Sequence, residues 1–200
     1  MGEKTKEPRV IMAQFNEETV RVYQAYNHTI AAQALKLGTF GSEFKMERMT
    51  WIKPSFLWMM YRAGWGTKTG QERVLAIDIA REGFDEILSH AVLSTFDKDL
   101  YGTYELWKER LAGSNVRCQW DPDRDIYGNP IDRRAIQLGI SGLMVKKYVH
   151  EWIIKITDIS DEVHLWHQEI LAERFSLEVL PKENEYLVSE NVQKILGMQF

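Results

Sequence analysis

Residues 51–68 read WIKPSFLWMMYRAGWGTK, and this stretch decides how the rest of the chain is interpreted. It holds three of the seven tryptophans, interleaved with lysine and arginine. Pro54 suits the first position of a helix, because its missing N–H has no helical partner there, and Gly64 suits the left-handed residue that ends one. The stretch therefore predicts a short, largely buried helix over 54–63, followed by a loop punctuated with glycine.

The same stretch brings aromatic rings close to positive charge. Trp58 and Arg62 lie four residues apart and share one face of the predicted helix, while Lys68 adds a cation to the loop. An aromatic ring beside cations suits a stacked base with an attached phosphate. In the alternative, structural interpretation, Arg62 interacts with the carbonyls of its own helix and Trp65 fills the core. The stretch is therefore the first candidate for a ligand site.

Length and charge bound the class of protein. The chain has 200 residues, enough for one domain with a substantial core. We expect a flexible N-terminus over 1–8, a single α+β domain over 9–180, and a C-terminal extension over 181–200 packed on that domain. The formal net charge of −4 argues against a nonspecific nucleic-acid coat but allows a local basic cleft.

Cysteine usage and hydropathy bear on location. The single cysteine cannot form an internal disulfide, and no signal peptide or long apolar span is recognisable. We therefore expect a soluble protein of the cytoplasm, or of the cytoplasm and nucleus, with no membrane partner. Nothing in the sequence indicates an oligomeric state.

Hydrophobic periodicity and turn residues predict a mixed or antiparallel sheet with flanking helices. Asn27 or Thr29 caps the first helix and Gly38 ends it, and the first two strands are expected to pair with each other. A loop is expected over 121–130. The predicted strands span 9–13, 19–26, 73–79, 116–120, 135–140 and 152–159, and the predicted helices span 30–37, 54–63, 83–96, 97–111, 143–149, 161–175 and 190–196.

Several familiar motifs fail on spacing. Asp121, Asp123 and Asp125 imitate the start of a calcium loop, but the sixth position is Ile126 where glycine is needed. We expect these acids to pair instead with four nearby arginines, Arg117, Arg124, Arg133 and Arg134.

No metal, nucleophile or phosphate-loop motif is predicted. His164 and His167 have helical spacing but no further ligand nearby, so they are interpreted as surface residues. Cys118 lies in an apolar strand, which favours an inert core thiol. Gln71 follows Gly70 where a phosphate loop requires lysine.

Four segments closely resemble the domain of unknown function family numbered 4291. The resemblance covers about 9–163, and it carries no established activity with it. The segments are Val22-Tyr23-Gln24-Ala25-Tyr26, RMTWIKPSFLWMMYR at 48–62, QWDPDR at 119–124 and RAIQLG at 134–139.

A remoter layout is similar to that of ADP-ribosyltransferases. The strand Tyr23-Gln24-Ala25, followed by a helix that ends at Gly38, resembles the opening of that superfamily, where the strand carries His or Arg. Residues 51–58 resemble a segment of DNA ADP-ribosyltransferases of the DarT type, with an aromatic strand, a proline and an apolar helix start. Residues 135–140 fall where the superfamily keeps its catalytic glutamate. The resemblance implies an ADP-ribosyltransferase-like core, NAD as substrate and a transferase reaction.

Two positions depart from that pattern. Gln24 stands where the superfamily has His or Arg, although an amide still allows hydrogen bonds to ribose or nicotinamide. Gln137 falls near the glutamate position, and an amide lacks the carboxylate that stabilises oxocarbenium charge. Glu72 or Glu151 replaces it only if the fold brings one into the cleft. Whether the chain is an enzyme, or binds NAD without transfer, is left open.

These observations assign expected roles. The reacting centre would hold Gln24, Arg134 and Gln137. The cofactor-binding set would provide contacts to the ribose, the pyrophosphate and a stacked ring; it comprises Tyr23, Tyr26, Lys53, Ser55, Trp58, Arg62, Trp65 and Lys68. The acceptor would be a nucleic acid or a nucleotide. The alternatives are a non-catalytic module that binds nucleic acid or a nucleotide by Trp and Arg stacking, and a protein-interaction domain.

Overall fold

The computed structural model describes residues 7–198. Its strands are β1 (Met12–Ala13), β2 (Thr19–Tyr26), β3 (Thr50–Ile52), β4 (Arg73–Ala80), β5 (Ala91–Leu93), β6 (Val116–Arg124), β7 (Pro130–Ile140), β8 (Ile153–Asp158) and β9 (Asn184–Glu185). Its α-helices are α1 (His28–Leu37), α2 (Phe56–Ala63), α3 (Arg81–Ser89), α4 (Lys98–Tyr101), α5 (Tyr104–Gly113), α6 (Gly142–Lys147), α7 (Ser160–Leu171) and α8 (Glu190–Leu196). A π-helical turn, Tyr148–Trp152, joins α6 to β8, and a short 3-10 turn spans Leu177–Val179.

Two sheets form the body of the fold. Sheet I has the order β2-β4-β8 and is antiparallel, while sheet II has the order β3-β7-β6-β5 and is antiparallel except for the β5–β6 pair. A bridge links the two sheets, where the Tyr23 N–H donates to the Lys53 carbonyl at 2.8 Å. The predicted α+β class with antiparallel pairing is confirmed.

Strand β4 explains why sheet I has helices on both faces. Its sequence RVLAIDIA is almost continuously apolar, which is typical of a strand covered on both sides. Leu75, Ile77 and Ile79 pack into a large core with α1 and α3. Val74 and Ala76 alternate with them and pack into a smaller core with α2 and α7.

Helix α2 ends as predicted. Gly64 adopts a left-handed φ of 59°, and its N–H donates to the carbonyls of Met60 and Tyr61. The helix begins at Phe56, two residues after the expected start, and the Ser55 side chain makes no capping bond. A carboxylate from the C-terminal segment caps it instead, because Glu183 Oε1 accepts the Phe56 N–H at 2.5 Å.

The expected pairing of the first two strands is limited to a short antiparallel link, in which Phe15 bridges Val20 and the Arg21 N–H donates to the Gln14 carbonyl at 2.9 Å. β2 pairs along its whole length with β4, from Thr19 opposite Ala80 to Tyr26 opposite Arg73. β1 itself pairs with β9, near the other end of the chain, and Phe15, two residues after β1, forms the isolated bridge to β2. The long apolar β4 offers β2 more buried pairs than the short β1 does, so non-local pairing determines the arrangement.

Two predicted helices and one predicted loop also differ from the structure. The helix expected over 83–96 ends at Ser89, and Ala91–Leu93 instead adds a parallel strand to sheet II. The helix expected over 97–111 is divided at Gly102, whose φ is 72°. The loop expected over 121–130 is shorter, because β6 continues to Arg124 against β7. In each case pairing with a distant strand or a left-handed glycine outweighs helical periodicity.

The C-terminal part of the described chain contacts the body of the fold through β9 and through the buried residues Tyr186 and Leu196. The expected boundaries at 9–180 and 181–200 stay a prediction. Of the N-terminus expected to be flexible, 1–8, the first six residues lie outside the described residues. No helix within residues 7–198 is long and apolar enough to cross a membrane.

Candidate functional site

An open cavity of about 460 Å³ lies where the two sheets meet, which is within the usual size for a small-molecule site. Strands β2, β3, β6 and β7 and helix α2 all contribute to it. Its lining is polar and cationic and contains no Asp or Glu among the residues that the structure describes. The lining residues are Gln24, Ala25, Tyr26, Met49, Thr50, Trp51, Lys53, Met59, Arg62, Gln71, Gln119 and Gln137.

Gln24 holds the inner wall of the cavity together. Its Nε2 donates to Tyr26 Oη and Thr50 Oγ1, each at 2.8 Å, and its Oε1 accepts from Tyr148 Oη at 2.7 Å. Burial raises the pKa of both the Tyr26 and Tyr148 phenols, so both stay protonated at neutral pH. Because protein groups occupy both ends of its amide, Gln24 ties β2 to β3 and to the π-helical turn.

Lys53 places a buried cation on the cavity. The residue is only 6% exposed, and among the residues that the structure describes Nζ makes one long contact, of 3.4 Å, to the Trp51 carbonyl. Burial lowers the pKa of Lys53 to about 8; the nearby Arg62 charge lowers it further, and the Asp121 carboxylate opposes the shift. A buried ammonium with so few partners is typical of a binding or catalytic position.

Gly139 of β7 leaves room for the Trp51 ring. Gly139 of β7 lies opposite Trp51 of β3, and a Cβ built on Gly139 would come within 3.0 Å of the Trp51 ring. The missing side chain therefore lets the indole lie against the sheet. Trp51 lines the cavity together with Lys53 and Arg62, so its ring is a candidate for stacking a ligand.

Gln119 and Gln137 form the floor of the cavity. They sit directly opposite each other on β6 and β7, and their Nε2 atoms both donate to Asp121, at 2.8 and 2.7 Å. This acid was missed by the sequence reasoning as a site residue because it was assigned to a loop. Alternation along an extended β6 would have placed it on the same face as Gln119.

The structure brings five of the expected site residues to the one cavity: Gln24, Tyr26, Lys53, Arg62 and Gln137. The other expected residues lie elsewhere. Lys68 Nζ donates to the Arg62 carbonyl at 2.6 Å, at the C-terminal end of α2. Arg134 pairs with Glu7 at 3.1 Å and donates to the Trp120 carbonyl on a separate surface.

Three expected aromatic residues are packed within the protein. Tyr23 is buried edge-to-face on Phe56, and its hydroxyl has no partner in the described part of the chain. Trp58 stacks on Tyr61 with centroids 5.4 Å apart, and Trp65 stacks on His167 at 5.7 Å. These contacts account for the packing of the rings, while Trp58 Nε1, like the Tyr23 hydroxyl, is buried without a partner among residues 7–198.

Two acids, the buried Asp123 and the half-buried Glu183, lie beside the N-terminus of α2, next to Ser55. Asp123 is 1% exposed and pairs with Arg133 at 2.6 Å, as expected for this acid, while Ser55 Oγ lies 3.5 Å from it. Burial raises the pKa of the neighbouring Glu183 to about 7; the Phe56 N–H opposes this shift and the charge of Asp123 adds to it. The group links the C-terminal segment to α2.

Glu183→Gln is expected to raise the free energy of unfolding at pH 8 by about 1–2 kcal/mol, since the amide still accepts the Phe56 N–H but carries no charge. The folded carboxyl titrates at about 7 and the unfolded one at 4.5. In the parent chain this group's contribution to stability is therefore greatest below pH 4.5 and is lost as pH rises through 7.

Urea unfolding of the parent chain and the Glu183→Gln variant at pH 5 and pH 8 measures this effect. The variant's advantage should shrink at pH 5, and the exposed Glu185→Gln should show none at either pH. An equal advantage at both values would contradict the assigned shift.

The part of the chain that the structure describes holds no group of three or more His, Cys, Asp or Glu side chains suited to a metal ion. Cys118 is buried, and burial raises its pKa, so the thiol is not activated.

The fold and cavity define an α+β protein with a polar, cation-bearing cleft between two largely antiparallel sheets. The chain belongs to the family described as Domain of unknown function (DUF4291), whose model matches residues 10–186. The resemblance seen in the sequence is thereby confirmed for the family, and the match extends beyond the segments that suggested it. A comparison with curated proteins finds no match.

Proposed function

We propose that the cavity binds a nucleotide and that the chain is ADP-ribosyltransferase-like, with NAD as the substrate. The observation that carries this proposal is the cation pair on the cavity. Lys53 and Arg62 both line it, and neither forms an ion pair with an acid within residues 7–198. Two cations without an ion-pair partner in this part of the chain, on a cavity that Trp51 also lines, fit a pyrophosphate with an attached flat ring.

The positions of the two segments that carry the remoter resemblance support the NAD assignment. The resemblance to ADP-ribosyltransferases couples the strand of Gln24 with the strand of Gln137, which are far apart in sequence. Both side chains line the same cavity, from β2 of sheet I and β7 of sheet II. Gln24 would act by shaping the wall, since its own hydrogen bonds are satisfied within the protein.

No carboxylate among the described residues lines the cavity to act directly in the transfer reaction. Glu72 accepts the Gly70 N–H in an exposed loop, and neither it nor Glu151 lines the cavity. An acid that does contact lining residues is Asp121, which accepts from both Gln119 and Gln137. Its negative charge would polarise the Gln137 amide and stabilise oxocarbenium charge developing above the floor.

A second candidate function is non-catalytic binding of nucleic acid. A smaller cavity of about 240 Å³ adjoins the first and shares Tyr26, Met49 and Thr50 with it. Lys45, Arg48 and one acid, Glu43, line this second cavity, so cations outnumber acids along the two adjoining cavities. Together with the lack of an acid on the main cavity, this favours a longer phosphate backbone as an alternative ligand.

Calorimetric titration of NAD, with nicotinamide release followed in the same samples, tests the proposal. The parent chain should bind NAD and release nicotinamide. Arg62→Met should weaken binding about 10- to 100-fold, because a charge-assisted contact to phosphate contributes roughly 1.5–3 kcal/mol. Arg174→Met, an exposed arginine after α7, is the matched control and should leave both signals unchanged.

Other outcomes separate the alternatives. Saturable binding of NAD without nicotinamide would leave a nucleotide-binding protein and remove the transfer reaction. Absence of NAD binding, together with oligonucleotide binding that weakens steeply with salt, would favour the nucleic-acid module. Binding of neither ligand would overturn both functions.

A further inference from the structure

The floor of the cavity carries three polar side chains on one face of sheet II. Gln119 and Gln137 are a directly opposed pair, so their Cβ atoms are about 4.5–5.5 Å apart. Asp121 lies two residues beyond Gln119 on β6 and therefore projects from the same face. Its two oxygens divide the neighbours between them: Oδ1 accepts from Gln119 and Oδ2 accepts from Gln137.

This arrangement fixes which way both amides face. A carboxylate only accepts hydrogen bonds, so each glutamine must turn its NH₂ group toward Asp121. The Oε1 atoms then lie on the other side of each amide. Neither Oε1 accepts a hydrogen bond from any residue that the structure describes. Neither is among the fully buried atoms that lack a partner, so each oxygen is still accessible from outside the protein. Both side chains line the cavity, so two acceptors are available to a ligand there.

We propose that Asp121 holds Gln119 and Gln137 as a pair of hydrogen-bond acceptors, so that the cavity selects ligands that present an amino group over analogues that present a carbonyl oxygen at the same position. The inference rests on the proposed nucleotide function for the kind of ligand. The shared chemistry is an N–H₂ group on a flat ring system, which occurs in the carboxamide of nicotinamide and in the exocyclic amine of adenine or cytosine.

The selectivity has a physical basis in acceptor repulsion. An amino group donates one N–H to each Oε1, whereas a carbonyl or carboxylate oxygen faces two acceptors and leaves them without partners. The hydrogen bonds from both amides to the charged Asp121 carboxylate keep the amides from rotating to donate to a carbonyl ligand. Lost hydrogen bonds of this kind weaken binding about tenfold or more.

Calorimetric titrations with matched ligand pairs test the inference on the unmodified protein. NAD is compared with its hypoxanthine analogue and with its nicotinic acid analogue, which replace the two amino groups one at a time. ADP is compared with IDP, and CDP with UDP. We expect the amino member of at least one pair to bind about tenfold more tightly or better. The pair that shows the preference identifies which ring lies on the floor.

Asp121→Asn separates positioning from simple structural support. Asparagine offers one acceptor and one donor group, so it cannot hold both glutamines in the same orientation. The amino preference should fall to within about threefold, while the oxo analogue binds as well as before or better. Asp132→Asn, an exposed acid on β7, should keep the full preference. Gln119→Leu removes one acceptor and should also reduce the preference. It provides the test if the Asp121 variant folds poorly.

Each outcome decides the inference. Equal binding of the amino and oxo members by the parent chain would overturn it even if NAD binds and is cleaved. Retention of the full preference in Asp121→Asn would overturn the positioning role. A preference for ADP or CDP without any affinity for NAD would support it and retire the NAD proposal. Failure of every ligand to bind would overturn the inference together with the proposed function.

Discussion

Lys53→Met is expected to stabilise the free protein by about 2–3 kcal/mol and, in the same variant, to weaken nucleotide binding at least tenfold. The folded state lowers the pKa of Lys53 from 10.5 to about 8, so at neutral pH it holds a buried charge that the unfolded chain exposes to water. Methionine keeps the aliphatic stem and removes the charge. For a chain of this length the midpoint of thermal unfolding should rise by about 5–10 °C.

The pH dependence gives this prediction its sign. Between pH 8 and 10.5 the unfolded chain binds a proton at Lys53 that the folded protein has lost, so the parent chain gains stability from this group as pH rises. The variant's advantage should therefore shrink when urea unfolding at pH 7 is repeated at pH 9.5. Lys108→Met, on the exposed face of α5, is the control and should change stability little. A Lys53→Met protein that is less stable than the parent chain would contradict the interpretation that Lys53 is a buried cation whose charge destabilises the free protein.

Gln24→Met is expected to destabilise the protein by about 3 kcal/mol. The substitution conserves volume but removes the donor and acceptor that serve Thr50 and Tyr148. Tyr148 is wholly buried, and no other described residue accepts its hydroxyl proton, so its desolvation is left uncompensated. The wall between β2 and β3 should also loosen, which would weaken any ligand affinity.

Chemical denaturation measures the Gln24→Met effect, with Gln168→Met on the exposed face of α7 as the matched control. Tyr148→Phe alone should cost about 1–2 kcal/mol. The double variant should be less destabilised than the sum of the two, because both remove the same hydrogen bond. A Gln24→Met cost below about 1 kcal/mol, or strict additivity, would show that the buried network does not hold the wall.

The elements that local sequence determines were predicted well. Gly64 ends α2 and Gly38 ends α1, because each helix ends in a left-handed residue and glycine adopts that conformation most readily. Asn27 caps α1 through its side chain, and α8 occupies 190–196 as expected. Elements that depend on distant partners were not predicted, since the pairing of β2 with β4 and of β1 with β9 is set by burial across the fold.

The candidate site shows the same division. Residues 51–68 gave the cations Lys53 and Arg62, because their density beside aromatic residues is visible locally. Helical spacing does not predict which aromatic rings are covered by neighbouring elements. Trp51, rather than Trp58 or Trp65, lines the cavity. Asp121 became visible only when pairing with β7 extended β6 through the expected loop.

A crystal structure of the protein grown with saturating NAD tests the central claim most directly. The account predicts the pyrophosphate within hydrogen-bond distance of Lys53 Nζ and the Arg62 guanidinium, with one ring against Trp51 and an amino group above Gln119 and Gln137. NAD bound on another surface, or a cavity that stays empty while the dinucleotide binds in solution, would contradict it.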